Sequence, residues 1–164
     1  MNVELRPWEP DDAEAVHACI DDEILRWIPE IPRPYALEDA QAFVADTADE
    51  FRRAVLLDGE VAGSIGMRPM FGHGGHLGYW CAARARGRGV MTAALRQFCA
   101  LAFGERGMQR LELVADPDNV ASQRLAERVG FQREGVLRSL VEHPDGRRRD
   151  AVIFSLLPGE LRAP

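Results

Sequence analysis

The chain has 164 residues, of which 46% are hydrophobic and 28% charged, a balance that suits one globular domain with a single core. Its net charge of −6 argues against a nucleic-acid partner, and no apolar run approaches the roughly 20 residues that span a bilayer. The acidic N-terminus has no apolar signal segment, and the three cysteines lack CxxC spacing, which favours neither a disulfide framework nor a metal site. We therefore expect one cytoplasmic domain over residues 1–164, without membrane or metal, as a monomer or homodimer.

The first half of the chain predicts a strand, two helices and a hairpin. "VELRPW" alternates as a strand does, and Asp11 or Asp12 can cap the helix that follows. The three prolines of "LRWIPEIPRPY" predict a loop or a broken helix. A second helix is predicted over 37–51 by residues at helical spacing, namely Ala40, Phe43, Val44, Thr47 and Phe51. Two strands joined at Asp58-Gly59, a strong hairpin signal, come next.

The second half predicts alternating strands and helices. "FGHGG" is a flexible turn, and "HLGYWCAA" is strand-like. A helix from about Gly89 to Phe103 follows, and its predicted buried stripe consists of Met91, Leu95, Phe98 and Ala102. "RLELVAD" predicts a strand, "NVASQRLAERVG" a helix that ends at a glycine, and "FQREGVLRSLVE" and "RRRDAVIFSLL" two strands around the turn "HPDG". This order predicts a mixed sheet flanked by helices.

The segment "ARARGRGVMTAAL", residues 83–95, places Gly87 and Gly89 among three arginines directly before a helix. The first N–H groups of a helix have no internal acceptor, the helix dipole adds about half a positive charge there, and glycines allow a phosphate to approach closely. The segment therefore predicts an anion site, although a solvated connector has the same pattern. No GxxxxGK[ST] motif is present, and "GRGVMT" lacks the third glycine of a dinucleotide fingerprint.

The loop from Arg84 to Gly89, followed by helix, strand and "NVASQRLAERVGF", resembles the GNAT (GCN5-related) N-acetyltransferase family, whose cofactor motif is Q/R-x-x-G-x-G/A. "LGYW", "ADPDN" and "HPDGRRRDAVIFSLL" resemble the branch of ribosomal-protein alanine N-acetyltransferases. The resemblance covers nearly the whole chain, with several motifs in the right order. It implies an α/β (α+β) fold with a mixed, mostly antiparallel central sheet of about seven strands, splayed in the middle and flanked by helices.

The resemblance also implies a binding site for acetyl-CoA as the acyl donor. The loop and the start of the next helix would bind its pyrophosphate, through Arg84, Arg86, Gly87, Arg88, Gly89, Val90 and Met91. The strand with Tyr79, Trp80 and Cys81 would lie along the pantetheine arm, and Asn119 would contact the cofactor, cap its own helix, or both. In the family this strand splays from the one matching "RLELVAD", so that unpaired N–H groups can bind the pantetheine amides and polarise the thioester.

The departing CoA thiolate has to be stabilised or protonated, and many family members use a tyrosine four residues before the Gly of Gly-Phe. That position is Ala126 here. Ser122 lies one helical turn earlier, on the same stripe as Leu125, Ala126 and Val129, so its hydroxyl should point where the missing phenol would. The resembling branch has a serine at this place and implies Ser122 as the acid. A small polar residue packed in a helix face is the alternative.

The amine has to lose a proton before it attacks, and three side chains are candidate general bases. Glu142 precedes the "HPDG" turn, as a glutamate precedes a similar turn in the resembling branch, although the match needs a one-residue gap. His76 occupies a strand position where relatives often have Glu, and the usual pKa of histidine suits a base. Glu112 in "RLELVAD" is the third. Each could be an exposed strand residue instead, with an ordered water chain removing the proton.

Cys81 could in principle act as a nucleophile in a two-step route, but no His/Asp partner is evident in sequence and cysteine more often fills apolar space. Direct attack of the amine in a ternary complex is therefore favoured. The resemblance implies an acetyl-CoA-dependent N-acetyltransferase acting on a primary amine, either a protein N-terminus or a small molecule. The alternative is a non-catalytic CoA-binding sensor or scaffold, which only the loss of the usual tyrosine supports. A third interpretation is a nucleotide-binding protein that uses the glycine loop for ATP.

The N-terminal half is expected to select the amine. Aromatic and acidic side chains occur in "IDDEILRWIPEIPRPY", and further carboxylates follow at Glu38, Asp39, Asp46, Asp49 and Glu50. Together they can form an acidic rim that attracts a cationic amine, or simply a solvated helix face.

Overall fold

A seven-stranded sheet organises the computed structural model, which describes residues 1–46 and 51–163. Its order is β1-β2-β3-β4-β5-β7-β6, and the only parallel pair among the described strands is β4 with β5. The strands are β1 (Val3–Arg6), β2 (Phe51–Leu57), β3 (Glu60–Met70), β4 (Gly74–Cys81), β5 (Arg110–Ala115), β6 (Gln132–Glu142) and β7 (Arg148–Leu156). The mixed, mostly antiparallel sheet expected from the sequence is confirmed.

Helices cover both faces of this sheet. They are α1 (Ala13–Cys19), α2 (Asp22–Trp27), α3 (Leu37–Ala45), α4 (Val90–Gly104) and α5 (Val120–Val129). Successive residues of a strand point to opposite faces, and in β2 Val55 packs in the core with α4 and α5 whereas Leu56 packs with α1 and α3. The stripe predicted for α4 is fully buried in the first of these cores. No helix in the described part of the chain is long and apolar enough to cross a membrane.

Turns and helix ends follow the local sequence in most places. Asp58 and Gly59 both have positive φ, at 52° and 88°, as the tight turn between β2 and β3 requires. Asp12 lies directly before α1 as predicted, but its carboxylate binds Arg6 and the N–H of Glu9 rather than the N–H groups of α1. The segment rich in proline includes the last three residues of the short helix α2 and continues without regular structure to the start of α3.

The helix predicted over 37–51 is wrong at its C-terminal end. Helix α3 ends at Ala45, and Phe51 is instead the first residue of β2, where its side chain is buried against α4. Phe51 follows Phe43 and Val44 at a spacing that also fits a helix. It is nevertheless the first residue of β2, so the agreement with helical spacing is a coincidence. The other residues expected there, Thr47, Asp49 and Glu50, lie outside the described residues.

Candidate active site

Strands β4 and β5 separate in the middle of the sheet. They pair only at Gly74↔Arg110, Gly75↔Leu111 and His76↔Glu112, and they diverge beyond that point. Ala82, directly after β4, donates its N–H to the carbonyl of Ala62, directly after Val61 in β3. The N–H groups of a strand point alternately to its two sides, so those of Trp80 and Gly78 point to β3 as well. The N–H groups of Tyr79 and Cys81 therefore point into the opening between β4 and β5. The splay implied by the family resemblance is present.

A glycine loop leads from the wide end of this opening into α4. Gly87 and Gly89 have φ of 71° and 77°, and a Cβ on either residue would meet no atom within 4 Å. The first N–H to bond within the helix is that of Ala93, which donates to Gly89. Since a helix has no acceptor for earlier N–H groups, those of Val90 and Met91 are available to an anion. The loop thus combines left-handed glycines, open space and free donors, which fits a pyrophosphate.

The three arginines of the loop have different surroundings. Arg84 donates to the carbonyl of Val61 and lies 3.3 Å from Glu60. Arg86 donates to the carbonyl of Cys81, and also to Asp21 at 2.8 Å. Arg88 is exposed and has one long hydrogen bond, 3.3 Å, to the carbonyl of Arg84. Arg88 is therefore the guanidinium of this loop that is freest to reach a phosphate.

The structure brings Tyr79 and Ser122 together, although the sequence indicated separate roles for them. The phenol oxygen of Tyr79 lies 2.7 Å from Oγ of Ser122, across the gap between β4 and the first turn of α5. Burial raises the pKa of Tyr79 to about 12, so the phenol keeps its proton at neutral pH. Asn119 caps α5 by accepting the N–H of Ser122, and Ala126 is fully buried one turn further on. Two hydroxyls thus meet beside the splay.

Trp80 and Cys81 differ in what they can contribute. The indole of Trp80 is buried on the opposite face of the sheet and stacks on Trp8, with ring centroids 6.5 Å apart. Trp80 could therefore take part in a cofactor site only through the strand that carries it. Cys81 lies beside the opening, where burial raises the pKa of its thiol to about 11. Such a thiol is protonated at neutral pH and a poor nucleophile.

Two of the three candidate bases are neighbours at the point where the strands diverge. Nδ1 of His76 lies 3.3 Å from Oε1 of Glu112, and Arg110 holds the other oxygen of Glu112 at 3.3 Å. Arg110 also forms two hydrogen bonds with Glu134, which lower the pKa of that carboxyl to about 2. The pairing of His76 with Glu112 could not be foreseen, because it depends on the register between two strands distant in sequence.

Glu142, the remaining candidate, lies at the end of β6 away from this pair. Its side chain is 65% exposed and binds Arg148 at 2.9 Å. Nearby, a groove of about 580 Å³ runs between α2 and the turn that joins β6 to β7. Its lining residues are Asp22, Leu25, Arg26, Trp27, Arg33, Asp116, Asp118, His143, Pro144, Asp145, Arg147 and Arg149. Five residues of the "IDDEILRWIPEIPRPY" segment line the groove, whereas no residue of α3 does.

Comparison with known proteins agrees with this geometry. A family model described as an acetyltransferase (GNAT) domain matches residues 2–132. YdaF of Bacillus subtilis (strain 168), provisionally named a ribosomal N-acetyltransferase, is 27% identical over 171 aligned positions, covering 97% of this chain and 93% of that protein. RimJ of Mycobacterium smegmatis, solved in complex with CoA-disulfide, superposes with a TM-score of 0.88 at 25% identity, covering 98% of this chain and 84% of that one.

A GNAT-family acetyltransferase from Bacillus anthracis superposes with a TM-score of 0.87 at 25% identity, covering 96% of this chain and 95% of that one. The family match spans most of the chain, and these two solved relatives superpose over 96% and 98% of it. The protein therefore belongs to the GNAT acetyltransferase family and is an acetyl-CoA-dependent N-acetyltransferase.

Proposed function

We propose that the enzyme transfers the acetyl group of acetyl-CoA to the α-amino group at the N-terminus of a polypeptide, by direct attack in a ternary complex. The observation that carries this proposal is the splay between β4 and β5, with the glycine loop at its wide end and the Tyr79–Ser122 hydroxyl pair beside it. Three free cysteines among the described residues support a reducing compartment, the cytoplasm. The enzyme would act there as a monomer or homodimer, without metal, membrane or nucleic acid.

The cofactor site is proposed from the loop and the open strand edge. Backbone N–H groups from Gly87 to Met91 bind the pyrophosphate, and Arg88 adds charge from solvent. The pantetheine arm lies in the opening, where the N–H groups of Tyr79 and Cys81 have no strand partner. One of these donors polarises the thioester carbonyl as negative charge develops on its oxygen.

The reaction at the thioester requires a group that stabilises the leaving thiolate and a base that takes the amine proton, and we assign these roles to Ser122 and His76. The amine nitrogen forms a bond to the carbonyl carbon, the C–S bond breaks with its electron pair passing to sulfur, and Ser122 hydrogen-bonds that sulfur. His76 takes the amine proton at Nε2, through one water. Its Nδ1 faces Glu112, and a ring that donates from Nδ1 has its lone pair on Nε2. Glu142 is the alternative base. It is a weaker candidate than His76, because its carboxylate is exposed and already paired with Arg148.

The balance of charge in the groove supports a polypeptide acceptor over a polyamine or an aminoglycoside. Four aspartates and four arginines line it, namely Asp22, Asp116, Asp118, Asp145, Arg26, Arg33, Arg147 and Arg149. A polycation would be attracted only by an excess of carboxylates, which this set lacks. Polypeptides carry both charges and a polar backbone, which such a groove can bind. The ribosomal assignment in the name of YdaF points to the same class of acceptor.

Release of CoA with a panel of amines tests the proposal. We expect turnover with peptides that begin with Ala or Ser, and none with the same peptides blocked at the α-amino group. Free amino acids, a polyamine and an aminoglycoside form the comparison set. Turnover confined to a small amine would show that the acceptor is a small molecule and not a polypeptide. Tight acetyl-CoA binding without turnover on any acceptor would instead indicate a sensor or scaffold module.

A further inference from the structure

The hydroxyl of Tyr79 has one hydrogen-bond partner among the described residues, Oγ of Ser122 at 2.7 Å. The two residues are 43 positions apart and come from different elements, β4 and α5. The ring of Tyr79 packs against the core that α4 and α5 share. A buried phenol needs an acceptor for its proton, and Ser122 Oγ is the one that the fold provides.

Either hydroxyl of this pair can donate to the other. Burial raises the pKa of Tyr79 to about 12, so the phenol keeps its proton at neutral pH and can act as the donor. If Tyr79 donates to Ser122, the hydroxyl hydrogen of Ser122 cannot point back along the same line. Ser122 lies at the start of α5, beside the opening between β4 and β5. Its own hydrogen is then free to donate to another acceptor, such as a sulfur bound in that opening.

We propose that Tyr79 is a positioning residue, which directs the hydroxyl of Ser122 toward the sulfur of the leaving CoA. This inference rests on the proposed function and adds a residue to it. As the C–S bond breaks and its electron pair moves to sulfur, Ser122 donates a hydrogen bond to the thiolate while Tyr79 donates to Ser122. Each bond polarises the next, so the pair binds the thiolate more strongly than Ser122 alone would. Neither hydroxyl loses its proton, and the amine proton goes to the base.

This arrangement also explains how the enzyme manages without the tyrosine that many relatives carry on the helix. Ala126 occupies that position and is 0% exposed, so a phenol ring on α5 would clash with the core. Tyr79 brings a phenol to the same region from the strand instead. It acts through Ser122, its hydrogen-bond partner.

Tyr79→Phe is the direct test, since it removes the hydroxyl and leaves the ring in the core. We expect kcat to fall about 5- to 10-fold, as loss of one hydrogen bond predicts, with little change in the KM for acetyl-CoA. Ser64→Ala is the control, since it also removes one buried hydroxyl from the sheet. Ser64 pairs with Trp80, whose side chain lies in the core on the opposite face from the one that Tyr79 packs against. The control should retain the kcat of the wild type.

The double variant Tyr79→Phe/Ser122→Ala separates positioning from an independent role. Because Tyr79 acts through Ser122, the double variant should have a kcat within about 2-fold of Ser122→Ala alone. Fully additive losses would overturn the inference, as would a wild-type kcat for Tyr79→Phe when chemistry limits the rate. A wild-type enzyme that releases no CoA with any acceptor would overturn the proposed function as well, so the two failures are distinguishable.

A second variant guards against misfolding of Tyr79→Phe. Site-specific replacement of Tyr79 by 3-fluorotyrosine retains the hydroxyl and the ring but lowers the pKa of the phenol. We expect an unchanged kcat at neutral pH and a loss of kcat at lower alkaline pH than in the wild type, because an ionised phenol can no longer donate. A purely structural Tyr79 would leave the alkaline limb where it is, and that result would overturn the inference.

Discussion

The guanidinium of Arg86 binds the carboxylate of Asp21 at 2.8 Å, across 65 residues of sequence. Asp21 also accepts the N–H of Ile24 and so caps α2, while Arg86 donates to the carbonyl of Cys81 at the end of β4. The hydrogen bond from Arg86 holds the pKa of Asp21 below its ordinary value. One ion pair therefore joins the proposed pyrophosphate loop to α2, which lines the proposed acceptor groove.

Asp21→Asn should loosen the cofactor loop without removing the cap of α2. The amide oxygen can still accept the N–H of Ile24, but the charge that holds Arg86 is lost. We expect the KM for acetyl-CoA to rise about 2- to 5-fold, because a pair exposed to this degree contributes modestly. Asp11→Asn, at an exposed aspartate outside the loop, is the control. Equal KM values in the two variants would contradict a coupling of loop and helix.

The pH dependence of this contribution follows from the lowered pKa of Asp21. A carboxylate with a depressed pKa in the folded protein contributes stability that is present above about pH 4, the ordinary range, and is lost as the pH falls through the lowered value. The difference in thermal stability between wild type and Asp21→Asn should therefore persist at neutral pH and shrink on acidification below about pH 4.

Gly89→Val and Gly87→Val should block the approach of the pyrophosphate. Each places a side chain in space that is empty in the protein and forces a β-branched residue into a left-handed conformation. We expect the KM for acetyl-CoA to rise at least about 10-fold in a folded enzyme. Gly107→Val is the matched control, since Gly107 has φ of 63° and equally open surroundings at the far end of α4. An unchanged acetyl-CoA affinity in folded Gly89→Val would remove the proposed pyrophosphate site.

Local patterns in the sequence account for most of the fold. The turn at Asp58-Gly59, the buried stripe of α4 and the glycine loop each depend on neighbours within a few residues, and the structure has all three. Phe51 shows the limit of such patterns, because the same spacing fits the end of a helix and the start of a strand. The splay between β4 and β5 was predicted only from the family resemblance, because composition and periodicity do not indicate it.

The contacts between candidate site residues could not be predicted in the same way. Tyr79 meets Ser122, and His76 meets Glu112, only because the fold brings one residue of β4 to the start of α5 and pairs β4 with β5 in one particular register. A shift of one residue in that register would turn His76 away from Glu112. Sequence reasoning identified each of these four side chains but assigned Tyr79 to the pantetheine arm, since its helix partner was not visible.

Ser122→Ala should lower kcat about 10-fold or more, at the low end of a general-acid effect, with little change in acetyl-CoA affinity. A hydrogen bond to sulfur strengthens as negative charge develops, so its loss affects the transition state more than the ground state. Ser122→Cys should recover little, because a thiol is a poor hydrogen-bond donor. Wild-type kcat in Ser122→Ala, with chemistry shown to be rate-limiting, would make Ser122 a packing residue.

Cys81→Ala should retain activity, and no acetyl-enzyme should accumulate when the protein is mixed with acetyl-CoA. Burial raises the pKa of the Cys81 thiol to about 11, so almost none of it is thiolate at neutral pH. Intact-mass measurement of wild type and variant decides the matter. A single acetyl adduct that maps to Cys81 and is transferred to the amine would replace direct attack by a two-step mechanism.

His76→Ala should lower kcat/KM about 10²-fold at neutral pH, since a positioned base typically contributes that much or more. Added imidazole should restore part of the activity, because it can occupy the space of the missing ring and accept the amine proton. His17→Ala, at an exposed histidine on α1, is the control and should neither lose activity nor respond to imidazole. Wild-type kcat/KM in His76→Ala, together with a large loss in Glu142→Gln, would assign the base to Glu142 and leave the His76–Glu112 pair as a structural contact of the diverging strands.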